Sequence, residues 1–360
     1  MRRTAALIVG GGPAGSAAAI ALVRAGLAPE LIERTAGPRD VVCGGFLGWD
    51  ALAALTRLGV DAAALGARPI GRLRLISGKR RIEVALPRLA AGLSRRTLDE
   101  ALLRTASAAG ATVLRGRAVR AVELDARRVR LDDEEEVEAD RLILASGKHE
   151  LRGAARPVDL GQHPLGLRAA MRPGMRTRAE LEGVIELHLY DGGYAGLLLQ
   201  EDGSANLCLS ASRERMKEAG GVDALVSRLA AELPSLAQRL DDGEAGPWSA
   251  VSGVPYGWRA QGGEDGVYRV GDQAAVIASL TGDGIAIALE SGATLGLAIG
   301  RGKSAADFQR HWARRAARPV RIAEALRHAA ERRPPRDALM TAFRWFPSLA
   351  PLAARLTRIA

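Results

Sequence analysis

The chain has 360 residues, 48% of them hydrophobic, which is enough for one large or two modest cores, and no apolar run is long enough to span a bilayer. Its two cysteines, Cys43 and Cys208, exclude a disulfide scaffold and suit a reducing cytoplasm, and its five histidines show no metal-ligand spacing, so no metal is expected. The formal net charge of +10 lies in residues 301–360, with 14 Lys/Arg against 4 Asp/Glu, and no nucleic-acid reading module or aromatic platform accompanies it, so no nucleic-acid partner is expected.

Met1-Arg2-Arg3 ahead of an apolar segment resembles the start of a signal peptide, but the segment ends in a glycine turn and reads as a first strand. That strand, Ala5–Val9, enters Gly10-Gly11-Gly12-Pro13-Ala14-Gly15 and leaves into a helix over Ala17–Ala25. Gly10 allows the tight turn, Gly12 lets backbone approach a pyrophosphate, and Gly15 lets the helix pack closely on the strand. The unpaired N–H groups of the helix start suit phosphate charge. Leu31-Ile32 then ends in Glu33, 23 residues after Gly10, where an acidic side chain can accept hydrogen bonds from a ribose hydroxyl. Strand, helix and acid in this register predict a dinucleotide site.

A loop, Thr35–Gly48, carries Cys43-Gly44-Gly45, and a helix is expected over Ala51–Leu58. Strands are expected at Leu73–Ile76 and Arg81–Leu86, then a helix over Arg95–Ala109 with Ser94 as its N-cap. Short strands follow at Thr112–Arg115, Ala118–Leu124, Arg128–Leu131 and Arg141–Leu144, the last running into Ala145-Ser146-Gly147. Alternating β-rich segments occupy Leu165–Met171, Gly183–Leu189, Tyr194–Gln200 and Ala205–Ser210, with turns at Asp191-Gly192-Gly193 and Asp202-Gly203. A helix over Gly221–Leu233 follows. Strand Val267–Val270 then meets Gly271-Asp272, and Gly282-Asp283-Gly284 opens a helix over Ile285–Ile299. The rest, from Ser304, reads as helices broken at Pro319, Pro334-Pro335, Pro347 and Pro351.

The arginines at 310, 314, 318 and 321 share a helix face, and Phe343, Trp345, Phe346, Leu349 and Leu352 follow them. A basic helix beside apolar anchors is what interfacial attachment requires, so residues 304–358 admit peripheral contact with the inner membrane surface by an otherwise cytoplasmic protein. The competing expectation is that these apolar residues pack back on the body and cover a pocket.

Four segments, in order, resemble the flavoprotein superfamily of p-hydroxybenzoate hydroxylase and geranylgeranyl reductase. They are the glycine turn with Glu33-Arg34, then Arg95-x-x-Leu98-Asp99, then Ala139-Asp140 through Gly147, and finally Gly271-Asp272 with Thr281-Gly282-Asp283-Gly284-Ile285. The resemblance implies an α/β fold: an FAD-binding, Rossmann-like domain of the glutathione-reductase type, an inserted antiparallel β-sheet substrate domain, and a helical C-terminal tail. The FAD-binding domain is expected as two pieces, 1–158 and 256–302. The substrate domain is expected at 159–255, with a contribution from 70–90, and the helical region at 303–360.

The resemblance assigns FAD to Gly10, Gly12, Pro13, Ala14, Gly15, Glu33, Arg34, Arg95, Gly147, Gly271, Asp272, Gly282, Gly284 and Ile285. It places the Cys43-Gly44-Gly45 loop beside the flavin, with Cys43 either a reactive thiol or a small buried residue. Tyr194, Trp248, Tyr256 and Trp258 are candidate aromatics of a substrate pocket, with core packing the plainer role for each. Ser146 stands where many relatives carry an aspartate linked to pyridine-nucleotide use, so NAD(P)H and an electron-donor protein both stay open as reductants. The leading expectation is reduction of a carbon–carbon double bond in a hydrophobic isoprenoid or polyketide-like molecule, in the manner of geranylgeranyl reductase. The alternatives are an FAD-dependent monooxygenase hydroxylating an aromatic or polyketide, and a flavin electron carrier with no organic substrate of its own.

Overall fold

A computed structural model describes residues 2–158 and 163–359. The expected domain boundary between 158 and 159 falls at the edge of the described residues, and Met1 lies outside them. The run Ala6–Val9 is buried at all four positions, as a strand covered on both faces must be. It is the middle strand of a parallel sheet ordered Val267–Arg269, Leu142–Leu144, Ala6–Val9, Pro29–Glu33, Thr112–Arg115. The strand ends at Val9, Leu144 and Arg269 lie side by side, so the turns that follow them converge on one edge.

A small second sheet, Arg2–Thr4, Glu136–Ala139, Arg128–Leu131 and Val119–Glu123, packs beside the first. The strands Arg2–Thr4 and Glu136–Ala139 carry too much charge to read as strands in the sequence. Ion pairs of Arg2 with Glu30 and Glu135 take up that charge at the surface.

The third sheet has nine strands, eight of them in the order Gly243–Ala245, Leu165–Pro173, Ala205–Ala211, Gly193–Leu199, Val184–Tyr190, Arg68–Ser77, Arg80–Gly92, Phe46–Leu47. Val184–Tyr190 pairs parallel with Arg68–Ser77, which joins the early hairpin to the later strands. Its two faces differ sharply. Ile185, Leu187 and Leu189 look into a cavity, while the alternate residues Glu186 and His188 are fully buried on the opposite side. There Glu186 accepts hydrogen bonds from Arg74 Nη1 at 2.7 Å and Arg239 Nε at 2.9 Å, and His188 Nε2 lies 2.8 Å away. Burial pushes the Glu186 carboxyl up, but His188, Arg239 and Arg74 outweigh it and hold it well below the usual carboxylate range. Arg239 also reaches Glu180, so this ion cluster ties the helices Met175–Leu181 and Pro234–Asp241 to the back of the sheet.

The helix Gly284–Gly300 lies against the first helix, Pro13–Arg24, at backbone distance. A methyl group added at Gly292 would stand 2.3 Å from Ala14 O, and one at Gly296 would stand 2.2 Å from Ala21 O. Ser304 caps a single helix, Ala305–Ala330, through the N–H of Asp307. Pro319 does not break it, contrary to the expectation. Pro319, Val320, Ala316 and Ala323 are all buried, and that packing offsets the roughly 3 kcal/mol that an interior proline costs. Pro351 also sits inside a helix, Leu349–Leu356, in the first turn where its missing N–H is no loss. Because the contact at Gly296 is with backbone, Gly296→Ala should destabilise the protein by about 1–3 kcal/mol in chemical denaturation; unchanged stability would mean that the two helices can separate freely.

Candidate functional site

The converging turns frame one continuous cavity of about 810 Å³. At one end is the glycine turn. Gly10 has a positive φ of 109°, and a Cβ there would collide with Ala145 O at 2.5 Å. A Cβ on Gly15 would stand 1.9 Å from Gly10 O; Gly15 is buried and packs beneath the turn without lining the cavity. Gly12 differs. A Cβ there would meet only Arg95 Nη2, at 3.4 Å, so the N-cap of the first helix opens directly into the cavity. Bare backbone, a helix N-terminus and a nearby guanidinium together suit a pyrophosphate.

Glu33 and Arg34 follow on the next strand and line the same end. Glu33 accepts the Gly11 N–H at 2.8 Å, and the Thr35 N–H and hydroxyl at 2.9 and 2.7 Å. Burial raises its pKa, but these donors prevail and hold it below the ordinary value. It is therefore an anion with acceptor capacity to spare for a ribose. Arg34 is engaged with His149 Nε2 at 2.6 Å.

Arg95, at the start of the Ser94-capped helix, is held in a two-pronged pair with Asp99, both contacts at 2.7 Å. Burial works against its charge, yet Asp99 and then Cys43 raise its pKa above the normal value. Cys43 thus has a cationic neighbour that no local stretch of sequence contains. Its carbonyl takes a hydrogen bond from Asn206 Nδ2 at 2.9 Å, which anchors the Cys43-Gly44-Gly45 loop on the strand Ala205–Ala211. Cys208 lines the cavity from the same strand, with its thiol pushed up to about 12 by burial and by Cys43.

Gly147, Gly271, Asp272, Gly282, Gly284 and Ile285, together with Pro13 and Ala14, all line the cavity. The backbone carbonyl of Asp272 accepts Arg156 Nη1 at 3.0 Å, and its carboxylate stands 3.9 Å from Lys148 Nζ. Arg156 is 4% exposed and paired with Glu150, whereas Arg152 is exposed; the buried arginine of this segment is therefore Arg156. At Gly284 a Cβ would meet nothing within 4 Å, so a second helix N-terminus opens into the cavity.

Sequence reasoning missed the charge cluster behind that helix start. Asp283 and Asp50 are buried, and Arg358, from the end of the chain, inserts between them. Arg358 also stacks over the Trp49 ring at 4.3 Å. Two carboxylates facing one guanidinium leave a surplus negative charge in a dry place. Burial is the main cause and Asp50 adds to it, so Asp283 is pushed up to about 7 despite Arg358.

Beyond the loop 43–45 the cavity becomes an apolar chamber, walled by Leu73, Leu75, Ile185, Leu187 and Leu189 from the third sheet and by Leu326, Leu339 and Phe343 from the C-terminal helices. Of the four candidate aromatics, Tyr194 and Tyr256 line it and the two tryptophans do not. Trp248 packs on the core behind the third sheet, and Trp258 points its indole N–H at Gln273 O, 3.4 Å away. Tyr194 donates to Ser279 Oγ at 2.6 Å, and Tyr256 is hydrogen-bonded to the same hydroxyl. Burial raises both phenols, Tyr256 to about 12, so both keep their protons at neutral pH.

Two outcomes follow from this geometry. Gly12→Val should lower affinity for the dinucleotide at least tenfold with the far-ultraviolet circular dichroism intact, because the added methyls enter the space that the cradle leaves open; undiminished binding would remove the cradle. Folded Asp283 keeps its proton to about pH 7, whereas an unfolded aspartate has lost it by roughly pH 4. The folded state therefore binds the extra proton, and stability drops as pH rises through that window. Asp283→Asn should gain stability relative to wild type between pH 5 and pH 8 in urea unfolding; a pH-independent difference would contradict the assignment.

Residues 3–163 match the family model described as an FAD binding domain. The menaquinone reductase of Mycobacterium tuberculosis is 28% identical over 309 residues, covering 79% of this chain and 74% of that protein. Among solved structures, the flavin-dependent brominase Bmp2 superposes with a TM-score of 0.82 at 18% identity, covering 99% of this chain and 93% of the other. A geranylgeranyl bacteriochlorophyll reductase-like protein from Thermoplasma acidophilum gives 0.77 at 20% identity, covering 100% and 94%. FAD is the cofactor, and the cradle at Gly12 with the second helix start at Gly284 is open in the way its pyrophosphate and ring would need. Over residues 3–163 the chain carries an FAD binding domain, and its fold is the one found in flavin-dependent enzymes of known structure.

Proposed function

We propose that this oxidoreductase reduces a carbon–carbon double bond of an isoprenoid lipid that carries an oxygen function at its head, such as a prenylated quinone. The observation that carries the reading is the apolar chamber, which continues from the glycine-turn end of the cavity and includes a hydrogen-bonded polar cluster, Tyr194–Ser279–Tyr256. An electron carrier without an organic substrate has no use for such a chamber. The 28% identity to a menaquinone reductase supports a quinone head group, and the Cys43-Gly44-Gly45 loop supports a reductase over a hydroxylase.

Bound FAD, once reduced by the donor, would supply a hydride to one carbon, and a proton added to the other carbon would complete the two hydrogens. The residues that would hold it are those at the glycine turn, Glu33, Arg95, Asp272 and the helix start at Gly284. The walls formed by Leu73, Leu75, Ile185 and Leu187 would keep water from the reacting carbons and bury the isoprenoid chain. Tyr194 and Tyr256, held protonated and sharing Ser279, offer hydroxyl protons to a ligand oxygen in otherwise apolar surroundings. As reductant we propose a donor protein ahead of NAD(P)H, because the segment after the strand Leu142–Leu144 carries Ser146 in place of the aspartate, and Ser146 Oγ is spent on His149 O at 2.8 Å.

Anaerobic mixing of the photoreduced enzyme with an isoprenoid quinone tests the reading. The expected product gains two hydrogens on its chain and keeps them in air. A product that returns to starting quinone on aeration would assign ring reduction instead, and one that gains an oxygen atom when O₂ is admitted would assign a monooxygenase. Tyr256→Phe should weaken binding of the same quinone by roughly tenfold, about 1–1.5 kcal/mol for one hydrogen bond, at unchanged FAD content; equal binding would remove Tyr256 from the head-group site.

A further inference from the structure

Among the described residues, seven large hydrophobic side chains are exposed; four of them fall within residues 345–352, and a fifth, Leu89, is on a strand that the C-terminal helices contact. Trp345 (73% exposed) and Phe346 (62%) end the helix Arg333–Trp345, and Leu349 and Leu352 lie on the helix Leu349–Leu356. Leu89 belongs to the strand Arg80–Gly92, against which both helices pack. The opposite faces of the same two helices look inward, where Leu339, Phe343, Ala350 and Ala353 wall the apolar chamber. Two short helices thus separate an exposed apolar patch from a buried apolar cavity.

The charge around the patch has one sign. Residues 338–360 contain three arginines and no Asp or Glu. Arg358 is held between Asp50 and Asp283, but Arg344 and Arg355 are exposed and make no side-chain hydrogen bond or ion pair among the described residues. The same holds for Arg88, next to Leu89. A second copy of the chain related by a twofold axis would bring these arginines against themselves, which is repulsive. Anionic lipid headgroups would meet them favourably, while Trp345, Phe346 and the leucines enter the interface. No helix among the described residues is long and apolar enough to cross a membrane, so the contact is peripheral.

We infer that this patch docks the protein on an anionic bilayer and that the helices 333–345 and 349–356 form the wall through which a lipid passes between bilayer and chamber. Trp345, Phe346, Leu349 and Leu352 are the anchors expected from the sequence, whereas Phe343 faces the chamber, Leu89 joins the patch, and the arginines beside it are 88, 344 and 355 and not 310, 314, 318 and 321. The inference rests on the reading that the ligand is a lipid.

The test is sedimentation of the FAD-loaded protein with vesicles of phosphatidylglycerol and phosphatidylcholine, at low and high salt. The wild type should bind vesicles rich in phosphatidylglycerol at low salt and leave them at high salt. Trp345→Ala with Phe346→Ala should lower the partition at least tenfold, and Arg344→Glu with Arg355→Glu should abolish the preference for phosphatidylglycerol, both with flavin content intact. No binding by wild type at low salt, or equal binding by the alanine variant, would overturn the inference. So would a wild type that runs as a dimer in gel filtration and becomes monomeric in the alanine variant, because the patch would then belong to a second copy. Vesicle binding is scored without turnover, so a protein that binds vesicles but leaves the isoprenoid unreduced fails the proposed reaction and not the docking surface.

Discussion

The structure depends on the close passage of one bare turn of backbone over the strand ends of the parallel sheet. Gly10 O occupies the place where a side chain on residue 15 would stand, and Ala145 O the place of one on residue 10. That contact seats the first helix so that its N-terminus, at Gly12, opens to the cavity. The second helix start at Gly284 faces the same space because Gly292 and Gly296 let its helix lie directly on the first. Two helix N-termini, each offering unpaired N–H groups, thereby open into one cavity. The pairing arises from small residues on two helices far apart in the chain, Gly292 against Ala14 and Gly296 against Ala21.

Electrostatic surplus is kept at the edges of this arrangement. Behind the third sheet, Glu186 is matched by Arg74 and Arg239, and the cluster holds the sheet's covering helices while its other face stays apolar. Behind the second helix start the match is incomplete, with Asp283 and Asp50 sharing Arg358. Because Arg358 follows closely on the helix Leu349–Leu356, the wall of the apolar chamber is fastened to the helix start at Gly284. Loss of that arginine would leave the buried pair Asp50 and Asp283 without a compensating charge, a larger cost than loss of a surface pair.

Much of the cofactor end was legible in the sequence, because its signals are local. Gly10 to Gly15, Glu33, the capped helix at Ser94 and the turn at Gly271-Asp272 each depend on a few neighbouring residues, and each lies on the cavity or directly beneath it. The apolar end was less legible because it is assembled from distant segments. Trp248 and Trp258 are of the residue type a pocket uses, but Trp248 packs on the core behind the third sheet and Trp258 meets a backbone acceptor, while Ser279, with no signal of its own, joins Tyr194 and Tyr256. Arg95 beside Cys43 and Arg358 beside Asp283 are likewise tertiary facts. At Pro319 a local rule failed because burial of the surrounding helix face outweighed it.

The central claim is that a single cavity holds the flavin at its glycine-turn end and an apolar ligand at the other. The most direct measurement is titration of the oxidised, FAD-loaded protein with an isoprenoid quinone while the flavin absorbance is followed. The account predicts a saturable spectral shift that reaches completion at one ligand per flavin. Ligand binding at that stoichiometry with an unmoved flavin spectrum would place the ligand elsewhere and contradict the shared cavity.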